Sequence, residues 1–353
     1  MSQQKKSPDP FSTFNETIET KVFIIGAGPV GLFAVFMCGM AGLRCCVVDS
    51  LPHIGGQCQA LYPEKSIYDI PCFPDILAKD VVSRLSEQIK PFSPRFCLEQ
   101  QVQSATQQED GRWHVRTSTG QNFLTNSIIV CAGSGSFVPK RPPLHEIETF
   151  EGKSVFYSIK NKKDLSGQNV VIAGGGDSAV DWALLLQPIA KSLHIVHRRD
   201  RFTAQEHSVQ QLKQHIDQGH ITFHPFCQLQ DLHGQNGLLE HVGIVHKEQG
   251  YRTIKSDILL PFFGLQSDLG PLGQWGLNIA NQRICIDPTT GTTNKPGIYA
   301  AGDIATYPHK LKLIMTGFAE VAQIAHHLKN YLFPDRFFAF KHSTSSGITK
   351  DLI

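Results

Sequence analysis

No two of the nine cysteines in this chain form a C-x-x-C pair, and none stands at metal-ligand spacing from another. Cys38, Cys45, Cys46, Cys58, Cys72, Cys97, Cys131, Cys227 and Cys285 therefore suggest neither a structural metal site nor a local dithiol. A basic-then-apolar secretory start is missing too, so the thiols read as reduced and the protein as cytoplasmic. An excess of either charge is missing: 33 Lys and Arg against 31 Asp and Glu leave a net charge of +2. No global field then draws in nucleic acid or an anionic membrane, and any charged partner must meet a local patch. Val22 to Leu43 is free of charge for 22 residues, but five glycines and a proline interrupt it, and no membrane span is expected. The remaining composition, 41% hydrophobic and 18% charged over 353 residues, fits a globular chain long enough for two cores.

The stretch Val22 to Asp49 carries the first positive signal. A short apolar run, Val22 to Ile25, leads into Gly26-Ala27-Gly28-Pro29-Val30-Gly31, which fits G-x-G-x-x-G. A small-residue segment and a second apolar run, Cys45 to Val48, then end at Asp49. The pattern predicts strand, tight turn, helix, strand and acid. Its first glycine permits the turn, the second lets backbone approach a pyrophosphate, and the third lets helix pack on strand. The helix N-terminus offers unpaired N–H groups to phosphate. Asp49, 23 residues after Gly26, is placed to accept from a ribose hydroxyl.

Further along, Met1 to Thr20 reads as a polar tail and Ile76 to Ile89 as an amphipathic helix. Trp113 to Arg116 and Asn122 to Val130 read as strands, and Pro139 to Pro143 as a linker. The pattern then repeats. Val170 to Ala173 precedes Gly174-Gly175-Gly176-Asp177-Ser178-Ala179, a G-x-G-x-x-A match at an offset of 148 from Gly26. The same offset carries Asp49 onto His197, followed by Arg198 and Arg199, at the end of the strand Leu193 to Val196. An acid suits a free 2′-hydroxyl, whereas arginines suit a 2′-phosphate through charge-assisted, often bidentate contacts. The second unit is thus expected to take NADP(H). Asp177 reads as a helix-start residue at the positive end of the dipole. Tyr251 to Phe263 reads as a strand pattern, Gly297 to Asp303 as a buried strand running into an acid, and Leu313 to Leu328 as a helix. The expected architecture is α/β, with two Rossmann-like three-layer nucleotide-binding domains and the second inserted into the first. The chain is expected to leave the first domain near Val138 and to return near Lys295.

The segments GGQCQALYPEKSIYDIPCFP and AGDIATYPHKLKLIMTGFAE, together with the tail His342-Ser343-Thr344-Ser345, resemble the thioredoxin-reductase-like ferredoxin–NADP reductases. The resemblance runs from about Lys21 to Thr349. It implies an FAD domain built from residues 21–138 and 295–353, an NADPH domain over 139–294, and a homodimer. It further implies that Asp49 meets the FAD ribose and that Gly26, Gly28, Pro29 and Val30 lie near its pyrophosphate. Gln57, Tyr62, Val102, Phe137, Asp303 and Thr344 match other FAD contacts of the family, with Tyr62 and His342 flanking the isoalloxazine. Gly174, Gly176, Asp177, Ser178, Arg198 and Arg199 are the corresponding NADP contacts. Two positions depart from the family: Thr203 replaces an arginine after HRRxxF, and His309 replaces a glycine in YPxKxK.

The implied activity is hydride transfer between NADP(H) and FAD, then single-electron exchange with ferredoxin or flavodoxin. A disulfide reductase is disfavoured, because Lys153 to Gly176 contains no cysteine and Cys58 has Pro63 where a GGTCxxxxC partner would stand. Another NADPH-dependent flavin oxidoreductase, whether monooxygenase or oxidase, and a non-turnover NADPH sensor are the alternatives. An acidic partner would need a basic face, for which Lys160, Lys162 and Lys163, or Lys310 and Lys312, are candidates.

Overall fold

The computed structural model describes residues 17–159 and 161–335, and these fall into two compact units divided after Ser136 and before Ser267, the second spanning 137–266. Around the first glycine turn a seven-stranded sheet forms. The strand Ile18–Ile25 lies parallel to Cys45–Val48 on one side and to Asn122–Val130 on the other. Asn122–Val130 serves two further partners along its length. Its first half pairs antiparallel with Trp113–Thr117, and its last three residues pair parallel with Ile298–Ala300.

Alternate residues of the first strand enter opposite layers, as the period of two requires. Val22 and Ile24 pack with Leu32 and Val35 of the helix Pro29–Met40, with Val81 and Leu85 of the helix Ala78–Ile89, and with Val321 and Ile324 of the helix Ile314–Leu332. Phe23 and Ile25 pack on the other face with Val48, Val115, Phe123 and Ile284. Both faces are covered, which is why the central strand is an unbroken apolar run.

The second unit has a parallel sheet in the order Thr222–His224, Ser192–Val196, Asn169–Ala173, Ile258–Pro261. Val170 and Ile172 face Val180, Trp182 and Leu186 of the helix Asp177–Leu186. Val171 and Leu259 face Val242, Ile244 and Ile254, which belong to a three-stranded antiparallel sheet. The layers are therefore helix, parallel sheet, antiparallel sheet.

Several boundaries differ from the sequence reading for identifiable reasons. The helix expected from Ile76 starts at Ala78, because Ile76 and Leu77 pair with Ile67 and Ser66 as short strands. The first strand begins at Ile18, inside the expected tail. The pattern Tyr251 to Phe263 is two strands, Gly250–Lys255 and Ile258–Pro261, in different sheets. Between them Asp257 turns the chain, its carboxylate accepting from both the backbone and the side-chain amide of Asn169 at 2.7 Å. The chain re-enters the first unit at Ser267, well before Lys295: Leu269, Leu272, Leu277 and Ile284 already pack with Phe23 and Val115.

Candidate functional site

The two glycine turns are built alike. In the first, the Gly26 N–H donates to Val48 O at 2.8 Å, and Asp49 N–H donates to Cys97 O at 3.2 Å. In the second, the Gly174 N–H donates to Val196 O at 3.0 Å, and His197 N–H donates to His224 O at 3.1 Å. Asp49 and His197 thus occupy equivalent positions at the end of the neighbouring strand. Gly26 has a φ of +105° and Gly174 one of +154°, conformations that L side chains rarely adopt. A Cβ on Gly31 would lie 1.9 Å from Gly26 O, so only glycine allows the helix to close on the strand.

Both turns leave a cradle where phosphate approaches. Gly28 and Gly176 are the N-caps of 12- and 10-residue helices, with extended backbone and no side-chain cap. A Cβ on Gly28 would find only Gly56 Cα at 3.9 Å, and one on Gly176 would meet nothing within 4 Å. Pro29 occupies the first helical position, where its missing N–H costs nothing. The residues present fit a pyrophosphate at each turn: bare glycine and outward N–H groups.

The two sites differ in what stands beside the turn. Asp49 Oδ2 accepts from Ala27 N–H at 2.6 Å and Oδ1 from Leu51 N–H at 2.8 Å. A carboxylate retains acceptor capacity beyond two bonds, and the residue is only half-buried. Burial holds its carboxyl above the usual range, opposed by the Ala27 and Leu51 N–H bonds. His197 accepts nothing comparable. Its Nε2 is buried without a partner and its ring lies against Gly175, where a Cβ would approach to 2.4 Å. Burial, then the Arg198 charge, pushes its pKa down, so the ring is neutral. Arg198 and Arg199 follow it and are exposed, as are Asp177 and Ser178 in the first helical turn. Asp177 Oδ1 accepts from Gln205 N–H at 3.0 Å, so it braces the next helix's entry as well as starting its own.

Around the first turn further expected residues converge. A Cβ on Gly56 would lie 2.9 Å from Gly28 Cα, which brings the helix Gly56–Ala60 and Gln57 against the cradle. Gln57 Nε2 is 3.5 Å from Ser134 Oγ. Tyr62 packs on the helical core, and burial, then Cys58, then Asp303 push its phenol upward. Burial pushes the Cys58 thiol up to about 11, an unreactive group rather than a nucleophile. Val30 packs against Gly302, whose Cβ would sit 3.2 Å from Val30 Cγ2, and so the turn Gly302–Ile304 carrying Asp303 meets the helix N-terminus. Val102 is buried beside Val48 and Val130, and Gln100 N–H, two residues earlier, donates to Asp49 O at 3.0 Å. Phe137 lies on the strand Ser136–Pro139, its side chain not among those described. His342, Thr344 and Lys160 lie outside the described residues.

A family model of the pyridine nucleotide-disulphide oxidoreductases matches residues 20–326. The chain belongs to this family. Within it, the chain is 51% identical to a ferredoxin–NADP reductase of Paramagnetospirillum magneticum over 94% of its own length and 98% of the relative's. It is 47% identical to one of Rhodospirillum rubrum, over 94% and 97%. A solved structure of Lactococcus lactis thioredoxin reductase superposes with a TM-score of 0.76 at 22% identity, covering 89% of this chain and 99% of that one. That likeness concerns the fold: two Rossmann-type α/β units in one chain. The family and the ferredoxin–NADP reductase relatives imply FAD and NADP(H) as the cofactors.

The structure also revises two readings. Lys310 is no docking residue: its side chain is 6% exposed and ion-paired with Glu320, itself 4% exposed. Thr203 does more than replace an arginine, because its N–H and hydroxyl donate to Gly175 O at 2.7 and 3.3 Å and hold the second turn from behind. Neither Glu320 nor Tyr307, whose hydroxyl donates to it at 2.8 Å, was expected. The available signal was a lone carboxylate on the apolar helix face of Gly317, Val321 and Ile324.

Proposed function

We infer that this chain is a ferredoxin–NADP reductase that carries electrons between NADP(H) and an external one-electron carrier, ferredoxin or flavodoxin. The observation that carries the reading is the replacement of Asp49 by His197, Arg198 and Arg199 at the equivalent place of a second, otherwise similar turn. The acid favours an ADP ribose with free hydroxyls, as in FAD; the arginines favour the 2′-phosphate of NADP(H). Bound FAD supplies the exchange between a two-electron hydride donor and one-electron acceptors. The protein's part is to hold and orient. Gly26, Gly28, Pro29 and Val30 offer backbone to the FAD pyrophosphate, Asp49 its ribose acceptor, and Asp303 an acceptor for a ribitol hydroxyl. Gln57, Val102, Phe137 and Thr344 complete the FAD contacts, with Tyr62 and His342 against the ring faces. Gly174, Gly176, Asp177 and Ser178 bracket the NADP pyrophosphate.

Electrons leave the chain without a dithiol in this reading. The unit 137–266 holds one cysteine, Cys227, buried with its Sγ 3.7 Å from Arg252. FAD is assigned to the unit that ends at residue 136 and resumes at 267, and NADP(H) to residues 137–266, in a cytoplasmic homodimer; Lys162 and Lys163, or alternatively Lys312, are the candidates for a basic docking face.

Rapid anaerobic mixing tests the assignment. NADPH is expected to bleach the flavin far faster than NADH at equal concentration. The Arg198→Ala/Arg199→Ala variant should lose roughly 100- to 10,000-fold in NADPH affinity, since each of the two charge-assisted contacts contributes about 1.5–3 kcal/mol and every 1.4 kcal/mol is about tenfold, with little change for NADH. Equal efficiency of NADH with the native protein would sink the assignment, and binding of NADPH without bleaching would mark a sensor instead.

A further inference from the structure

Glu320 sits in mid-helix with both carboxylate oxygens engaged and almost no access to water. Oε2 accepts from Gly302 N–H at 2.7 Å, while Oε1 accepts from Tyr307 OH at 2.8 Å and from the Lys310 ammonium. The ammonium also lies 5.1 Å from the centre of the Tyr307 ring. Three points of the segment Gly302 to Lys310 are thereby tied to one carboxylate on the helix Ile314–Leu332. Buried ion pairs of this kind seldom stabilise a fold more than apolar packing of the same volume would. The consequence to look for is the placement of whatever the pair holds.

What it holds is the turn bearing Asp303. Gly302 has a φ of +76° and presses on Val30; Gly317, one turn before Glu320, is so close to Val30 that a Cβ there would lie 2.4 Å from Cγ2. Val30 is in the first turn of the helix that caps the glycine cradle. The Glu320–Gly302 bond therefore fixes Asp303 relative to the N–H groups that face the pyrophosphate. The geometry points to Glu320 as a positioning residue for FAD, setting the register between the Asp303 turn and the helix N-terminus, with the Lys310 ammonium as the third donor that makes a carboxylate necessary there; this rests on the reading that FAD occupies the first unit. A carboxylate is required because three donors converge on it. A glutamine has a single acceptor oxygen, and its amide N–H would face either Gly302 N–H or the ammonium.

The test compares native holoenzyme, Glu320→Gln and Glu320→Gln/Lys310→Met for the rate of FAD release, read as flavin fluorescence after dilution, and for NADP+ affinity. Release should be at least tenfold faster in Glu320→Gln. Removing the ammonium lets the amide accept from Gly302 N–H and donate to Tyr307 oxygen, so the double variant should return to within threefold of native. NADP+ affinity should stay within twofold throughout. Release within twofold of native for Glu320→Gln overturns the inference, as does parallel loss of NADP+ binding, the mark of general unfolding. If Glu320→Gln does not accumulate, Glu320→Asp carries the same comparison, because the shortened side chain withdraws the carboxylate from Gly302 N–H: faster release with unchanged NADP+ affinity supports positioning, and release within twofold overturns it. A native protein that holds no FAD would sink the FAD reading itself, a separate outcome.

Discussion

The Asp49 carboxyl meets two opposed demands. Burial favours its neutral form, while the N–H groups of Ala27 and Leu51 favour the charged one, and burial prevails, raising it above its ordinary 3.8. A raised acid contributes stability that is complete below the ordinary value and is lost as pH rises through the raised one. Relative to Asp49→Asn, the native apoprotein should therefore lose Tm as pH climbs from 3.8 through that window. A gap that moves the other way in thermal unfolding would show that the N–H bonds dominate. FAD binding should oppose the trend, because a ribose hydroxyl donates best to the ionised form. At the equivalent position His197 presents no carboxylate, and its Nε2 is buried without a partner against Gly175, which supports the proposal that Arg198 and Arg199 carry recognition there.

Within the strand–turn–helix element, each glycine answers a different constraint, and substitution separates them. Gly28 has a φ of −69°, allowed for any residue, and open space before it. Gly28→Ala should leave stability within about 0.5 kcal/mol of native yet cost most of the FAD affinity, because the methyl fills the place of the phosphate. Gly31→Ala should instead cost about 1–3 kcal/mol or more, the penalty of overpacking, since its Cβ meets Gly26 O at 1.9 Å. Calorimetry beside FAD titration distinguishes the two; equal loss of stability would contradict the cradle. His309 is a related case, with a φ of 62° at a place where glycine carries no strain. His309→Gly should raise stability by up to about 1 kcal/mol, less the entropy that glycine adds to the unfolded chain, readable as a higher Tm.

These elements were legible in the sequence to different degrees. Both turns, their flanking strands and the register linking Asp49 to His197 could be read directly, because glycine spacing and apolar runs are local signals. The split of Tyr251 to Phe263 at Asp257 could not, since it depends on Asn169, far away in sequence. The burial of Lys310 was hidden for the same reason: its partner Glu320 is set by how one helix packs on the turn before it. Lysine on a polar stretch reads as solvated until the carboxylate is placed.

At the scale of the whole molecule, two similar glycine turns are told apart by Asp49 beside the first and by His197, Arg198 and Arg199 beside the second. Nine free cysteines are distributed among the described residues. One thiol pair, Cys46 and Cys97 at 3.9 Å, lies in the first unit on the strands Cys45–Val48 and Arg95–Cys97. Replacing the buried Cys58 by alanine should accordingly leave electron transfer intact, unlike in a disulfide reductase. The most direct measurement follows NADPH oxidation by the native protein with reduced thiols, supplying ferredoxin in one arm and oxidised thioredoxin in the other. Sustained turnover is expected with ferredoxin, unaffected in Cys58→Ala, and none above background with thioredoxin. Turnover of thioredoxin with none of ferredoxin would contradict it.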